Sequence, residues 1–412
     1  MRKLFLSCLM VSIMAMPALA GLNYPNIDVK GDLSFKSITA QDYDGTKSVS
    51  DKVDNVQLTA NLKLSAELAD NVGLKVVLRN ASTQGAKSTP DTITLDPLGT
   101  STSGATSTSG ATSNNNLNEV LSQTTVYQIY LNIKDIAGVD AVIGRQNIGE
   151  KKNSLVFQSS RADAIKLSRK CGPVDVTCIS ANGPADRDTL NAIILGGKIG
   201  PVDAALADYV QQSAGTSANA VLNLTVSGKI PVGCGINASL EYAKQSGGKN
   251  AATVKDGKDA TAMLIKLAYN GYDMAVGKVS CGMTILNTTG AKDSLDKDEN
   301  YTGIAPSLKL TEIVSDIAAG EKNDDLTYKT AIANRNAIVL NLGLAPAAVA
   351  GLNLGLACGI YKTNEKVNDS TKYATEINLT AGYKASDAVS LSLLIAQMDP
   401  GKVLAPLTDK AT

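Results

Sequence analysis

Residues 336–361 read NAIVLNLGLAPAAVAGLNLGLACGIY, twenty-six positions without a charge between Arg335 and Lys362. A hydropathy window takes such a run for a membrane helix. Its period argues for something else. Ile338, Leu340, Leu342 and Leu344 fall on alternate positions with Asn341 and Gly343 between them. After Pro346 the pattern returns as Leu352, Leu354, Leu356, Cys358 and Ile360, interleaved with Asn353, Gly355, Ala357 and Gly359. At roughly 100° per residue, a helix would scatter those leucines around its circumference and turn Gly and Asn toward lipid. Strands place them on one face. The stretch therefore predicts a hairpin turning within 345–350, each strand having one apolar side and one side of small or polar groups. Strands in a bilayer satisfy their backbone only by closing on one another, so repetition of this unit gives a β-barrel whose outside meets lipid.

The same alternation recurs along the chain. Val56, Leu58, Ala60, Leu62, Leu64, Ala66 and Leu68 oppose Gln57, Thr59, Asn61, Lys63, Ser65 and Glu67 over thirteen residues without a fault. Ile27, Val29, Leu33 and Phe35 oppose Asp28, Lys30, Asp32 and Ser34. Tyr127, Ile129, Leu131 and Ile133 oppose Gln128, Tyr130, Asn132 and Lys134. Hairpin turns are expected near 69–71, 136–138, 172–173, 200–201, 229–231, 270–271, 313–315, 345–350 and 385–387. Nine hairpins and the leading strand make nineteen strands. Longer polar connections, including 148–161, 286–302, 321–335 and 363–372, alternate with these short turns. The expectation is an all-β fold over 21–412, a transmembrane antiparallel barrel of about 18–20 strands with short periplasmic turns and long external loops. Residues 83–121, with TSTSGATSTSGATSNNN at 100–116, have no means of building a core and read as a long low-complexity external loop. A folded constriction loop entering the pore is the functional alternative for that segment.

The chain opens MRKLFLSCLMVSIMAMPALA, two cations and a short apolar core ending in Ala18-Leu19-Ala20. That pattern predicts a secretory signal peptide over 1–20, cleaved before Gly21. There is no histidine and no tryptophan, and only three Phe against 35 Gly. Without His the usual general base near neutral pH and the commonest metal ligand are missing. No constellation argues for an enzyme, and no cofactor is implied. The formal net charge is zero, so nothing attracts nucleic acid. The expected partners are outer-membrane lipid and small hydrophilic or anionic solutes, and association of copies of the chain stays open.

Cys171 and Cys178 bracket GPVDVT, where a tight turn could oppose them as a disulfide in an oxidising periplasm. The alternative reading is two small apolar side chains on strands. In the segment 293–303, Asp296, Asp298 and Asn300 have calcium-ligand spacing. Glycine at the sixth position and glutamate at the twelfth are absent, so a solvated loop is preferred. Tyr127, Tyr242, Tyr269, Tyr272, Tyr361, Tyr373 and Tyr383 lie at strand ends, as an aromatic girdle requires. On the polar faces cations exceed carboxylates, and Lys63, Lys75, Arg79, Lys134, Arg145 and Lys166 are the expected fixed charges of a pore wall. Such a ladder favours anions, although a hydrated wall without useful selectivity is as compatible with the composition. Alternation over 139–147 tolerates either facing of Arg145.

VIGRQNIG at 142–149, followed by RADAIKLSR at 161–169, resembles bacterial outer-membrane porins of the alginate-export type. Gly144, Arg145, Gln146, Asp163, Ala164, Ile165 and Leu167 carry the resemblance, over about thirty residues. It implies a barrel of about eighteen strands passing small or anionic solutes. The expected function is a water-filled channel for passive diffusion in a bacterial outer membrane. The competing class is a secreted β-rich surface protein or adhesin, whose alternation would pack against a second sheet instead of lipid.

Overall fold

The computed structural model describes residues 27–41, 52–87, 125–148, 155–156, 161–182, 188–213, 218–230, 235–247, 257–290, 298–304, 308, 310–314, 332–367 and 369–403. The expected signal peptide, and residues 88–121 of the expected low-complexity loop, lie outside them. Seventeen strands make up nearly all of the rest. They are β1 Ile27–Gln41, β2 Lys52–Ala69, β3 Val72–Lys87, β4 Thr125–Ile136, β5 Val139–Asn147 and β6 Arg161–Cys171. There follow β7 Val174–Asn182, β8 Asp188–Ile199, β9 Val202–Ser213, β10 Asn219–Ile230, β11 Ile236–Gly247 and β12 Lys258–Met274. The last are β13 Gly277–Thr288, β14 Asn336–Pro346, β15 Leu352–Val367, β16 Ser370–Lys384 and β17 Ser390–Pro400.

Each strand pairs antiparallel with the next in sequence. The sheet curls round. Thr311 reaches Glu376 of β16, while its neighbour Glu312 lies 3.9 Å from Lys36 of β1, so two adjacent residues touch the first and the penultimate strands. The fold is a transmembrane β-barrel, and 336–361 forms two of its strands. No helix among the described residues is long and apolar enough to cross a membrane.

Strand phase follows the sequence pattern. Residues directly opposite across a ladder share a face. The row Ile285, Ile338, Ile360 is one outward line, and Leu340 with Cys358 and Leu342 with Leu356 continue it. Leu342 is 54% exposed, whereas Val339 on the opposite face of the same strand is 1% exposed. In water such a leucine band would be an aggregation liability; against acyl chains it is the required surface. On the inward face, small residues recur: Gly343 opposes Gly355, and Asn341 opposes Ala357. Gly351 closes the β14–β15 turn at φ +82°, and a Cβ there would stand 2.7 Å from the Lys384 carbonyl oxygen, so an L side chain is doubly excluded.

Among the described residues the strands number seventeen, two below the nineteen expected. The hairpin predicted at 313–315 is not begun by 310–314, the described part of that segment. Residues 310–314 instead run as a bend into a helical turn at Ile313–Val314. The turn placed at 270–271 is a β-bulge within β12, which continues to Met274. The connection expected over 363–372 is also tight, since β15 and β16 extend until Val367 pairs with Ser370.

These faces give a direct expectation for β2. A spin label at Leu62 should be relaxed by lipid-soluble oxygen, and one at Lys63 by a water-soluble nickel complex. Identical accessibility at the two positions would remove the two-faced wall.

Candidate functional site: a lumen partly filled by two loops

Much of the inward face of β6 to β16 is buried. Ala164, Ile179, Leu190, Ala192, Tyr209, Val221, Ala243, Ala262, Leu264 and Val339 are buried, in one cluster with Leu155, Val156, Tyr301, Ile304 and Val314. The last five belong to connections β5–β6 and β13–β14, whose described residues therefore pack back into the barrel instead of standing in solvent. Among the described residues these two connections enter the lumen; residues 88–121 of the segment that the sequence offered as a constriction loop lie outside them.

Three inward side chains hold the loops. Gln245 on β11 is fully buried and saturated at both ends: its Nε2 donates to Asn219 Oδ1 and Thr302 Oγ1, each at 2.8 Å, and its Oε1 accepts from the Thr302 amide at 2.8 Å. Glu241, four residues earlier and so on the same face, accepts the Leu155 amide and the Asn223 side-chain amide, both at 3.0 Å. Glu376 on β16 accepts from the Thr311 hydroxyl at 2.7 Å and the amides of Ile313 and Val314 at 2.8 and 2.7 Å. Those amides open a helical turn, where free N–H groups and the local dipole favour a carboxylate. Glycine makes room there. A Cβ on Gly359 would lie 2.9 Å from Thr311 Cγ2 and 2.6 Å from the Tyr361 ring.

The loops also hold each other. The Tyr301 hydroxyl donates to the Leu155 carbonyl at 3.1 Å, and the Ile304 amide donates to the Val156 carbonyl at 3.0 Å. Complete burial, with the Glu241 charge nearby, pushes the Tyr301 phenol well above its ordinary pKa, so it stays a neutral donor. At the return to the wall, Arg335 is 8% exposed and stacks 3.5 Å above Tyr373, with Nη1 buried and lacking a hydrogen-bond partner. Tyr361 also turns inward, donating to or accepting from Thr311 at 2.6 Å. Tyr361 and Tyr373, both counted in the expected girdle, are thus drawn out of it. Tyr242, Tyr272 and Tyr383 do face out as exposed rings.

The inward side chains of β1 to β3 contrast with the buried cluster. Lys63 and Asp32 are each 45% exposed and paired at 2.6 Å. Asn61 donates to Asp32 at 2.6 Å and accepts from Arg79 Nε at 2.9 Å, and the Arg79 guanidinium stacks 3.3 Å from the Tyr127 ring centre. This contact corrects the sequence phase of Tyr127. A register shift beside it, between Val77 and Leu78 of β3, turns the ring inward and Val126 outward. Lys75 lies 5.9 Å from the Tyr130 ring centre, directly opposite it. Lys134 stands at the short-turn rim, its amide on the Asn71 carbonyl at 2.8 Å. Lys166 opposes the buried Ile179 and so faces inward.

Arg145 departs from the expected pore wall. It opposes Ile129 and Asp163 on the face that carries exposed Ile143 and Ile165. Its guanidinium makes a two-pronged bond to Asp163, at 3.0 and 2.9 Å. That pair sits on the lipid side, at the loop-proximal end of β5, where a charge is tolerated because it is near the interface and neutralised. The cysteines are not brought together either. Cys171 opposes Val174 and Cys178 opposes Leu167, and both thiols are free. In the segment with partial calcium-ligand spacing, Asp298 accepts the Asn300 amide at 3.0 Å and lies 3.8 Å from Lys258; Asp296 is outside the described residues.

No protein-family model matches the sequence. No curated protein matches it either. Solved structures do match in fold. OccK9 (OpdG) of Pseudomonas aeruginosa superposes with a TM-score of 0.57 at 11% identity, covering 91% of this chain and 93% of that one. OccK5 (OpdH) of the same organism gives 0.55 at 12%, covering 90% and 93%. OpdK of that organism, solved with vanillate, gives 0.54 at 11%, covering 92% and 95%. At such identity the likeness speaks for architecture, and over nearly the full length of both chains the architecture of this protein is that of the Pseudomonas outer-membrane channel barrels.

Proposed function

We propose that the chain is a bacterial outer-membrane channel for passive diffusion of small hydrophilic solutes, with a lean toward anions. The observation that carries this reading is the asymmetry of the lumen. Two loops fill the side of β6 to β16, and a half-exposed polar wall remains along β1 to β3. Water and solute then pass between loop and wall. Lys63, Lys75 and Arg79 are the fixed charges of that passage, Lys134 adds one at the short-turn rim, and Lys166 faces the lumen from β6. Asp32 offsets Lys63, whereas Lys75 lies against a tyrosine ring that orients a cation without cancelling its charge. Net positive potential in a narrow lumen raises the local concentration of anions. The neighbour solved with vanillate, an anion, supports the lean. The local likeness to alginate-export-type porins fits the same class, although its arginine is Arg145 on the lipid side.

The protein reconstituted in planar bilayers should conduct. In a potassium chloride gradient its reversal potential should favour chloride, and Lys75→Gln combined with Arg79→Gln should move it toward potassium. A wild-type preference for potassium would overturn the lean. The barrel should leave membranes only with detergent and change gel mobility on boiling; a secreted adhesin would do neither.

A further inference from the structure

We propose that the cleft between residues 310–312 and the β14–β17 wall is a binding subsite for a small, neutral, polyhydroxylated solute such as a monosaccharide or polyol. The proposal rests on the channel reading and adds a solute class to it. The cleft has a volume of about 250 Å³ and is lined by Glu312, Asn341, Asn378, Thr380, Leu310 and Leu394, among others. At roughly 30 Å³ per water it would hold about eight water molecules, the space of one small ring or chain.

Its chemistry is that of hydroxyl recognition. Asn378 is 5% exposed, and its Oδ1 is buried with no hydrogen-bond partner. Buried side-chain oxygens in folded proteins are nearly always bonded, so an orphan on a cleft wall marks a place where a guest completes the arrangement. Asn341 shares the inward row with Asn378, through Ala357 between them, and Thr380 adds a hydroxyl two residues along the same strand. Glu312 contributes acceptor oxygens from the loop side. Leu310 and Leu394 present aliphatic surface to the C–H face that a sugar or polyol carries between its hydroxyls.

Charge sets the class. Among the described residues no lysine or arginine lines the cleft, and Lys36, 3.9 Å from Glu312, offsets that carboxylate from outside it. An anion entering would meet Glu312 without a cation to compensate, and a cation would find the carboxylate already partnered. A neutral solute with many O–H donors loses nothing on either account. The cleft lies beside the segment anchored by Glu376 and, through Glu312 beside Lys36 of β1, borders the open side of the lumen, so a solute seated there would narrow the path of ions.

The test is blockade of current through the refolded full-length chain in potassium chloride, with glucose and gluconate as probes. Glucose should lower the conductance saturably, and gluconate should block less at every concentration. Asn378→Leu and Thr380→Val should each raise the half-blocking glucose concentration roughly fivefold, the loss of one hydrogen bond. Conductance without sugar should stay as in wild type, which shows that the variants are folded. A linear, viscosity-like effect of glucose, tighter block by gluconate, or unchanged block in both variants would sink the subsite while leaving the channel intact. Absence of any conductance would instead remove the channel reading itself.

Discussion

Replacing Glu376 with alanine should raise the single-channel conductance and expose residues 310–314 to protease, while the barrel keeps its heat-modifiable mobility. The carboxylate accepts three bonds from that segment, two from amides at the start of a helical turn, and is itself fully buried. Hydrogen bonds to a charged acceptor contribute about 1.5–3 kcal/mol each, and leaving the loop donors unsatisfied adds to the cost. These bonds are coupled, so a total of about 3–5 kcal/mol is expected, the size seen when one partner of a buried charged pair is removed. That is enough to detach a loop, yet the strand ladders of β15 and β16 do not depend on it. Glu376→Gln should lie between, because a carboxamide offers one oxygen and turns its N–H groups toward the donors it must serve. Wild-type conductance and wild-type protease resistance in the alanine variant would show that the segment is held elsewhere.

Leu224→Arg should destabilise the barrel by about 2–4 kcal/mol in lipid vesicles, the cost of a cation on the lipid face near the bilayer midplane. Ser227→Arg, three residues along the same strand, should be tolerated. Leu224 opposes Leu206 and Tyr242 in an outward row, whereas Ser227 faces inward opposite Asp203, where a cation gains a partner and stays hydrated. Equilibrium unfolding in urea from both variants gives the comparison. Equal losses at the two positions would mean that β10 has no lipid side.

Strand phase was legible because a strand's side chains alternate strictly and the bilayer tolerates only one kind of residue outside. Thus Leu340 and Asn341, or Leu62 and Lys63, could be assigned to opposite faces from their order alone. The reading failed where that rule was locally suspended. Beside Tyr127 a register shift inserts one residue, which reverses the facing of everything to one side of it. At Arg145 the charge suggested the lumen, but a cross-strand carboxylate eighteen residues away neutralises it on the outside. Over 310–317, Leu310, Ile313, Val314 and Ile317 have the three-and-four spacing of a helix face, a signal that could have warned against a hairpin at 313–315.

The order of residues by itself determined the wall: antiparallel strands, joined in sequence, with leucine outward and small polar groups inward. It could do so because that pattern answers to a solvent boundary each strand meets on its own. What fills the lumen was decided only in three dimensions. Gln245 meets Thr302, Glu241 meets Leu155, and Glu376 meets Thr311 across separations of 57, 86 and 65 residues, and no local period encodes such meetings. They arise because closing the barrel sets the inward faces of distant strands around one space, and buried polar groups there must find partners wherever the returning loops supply them.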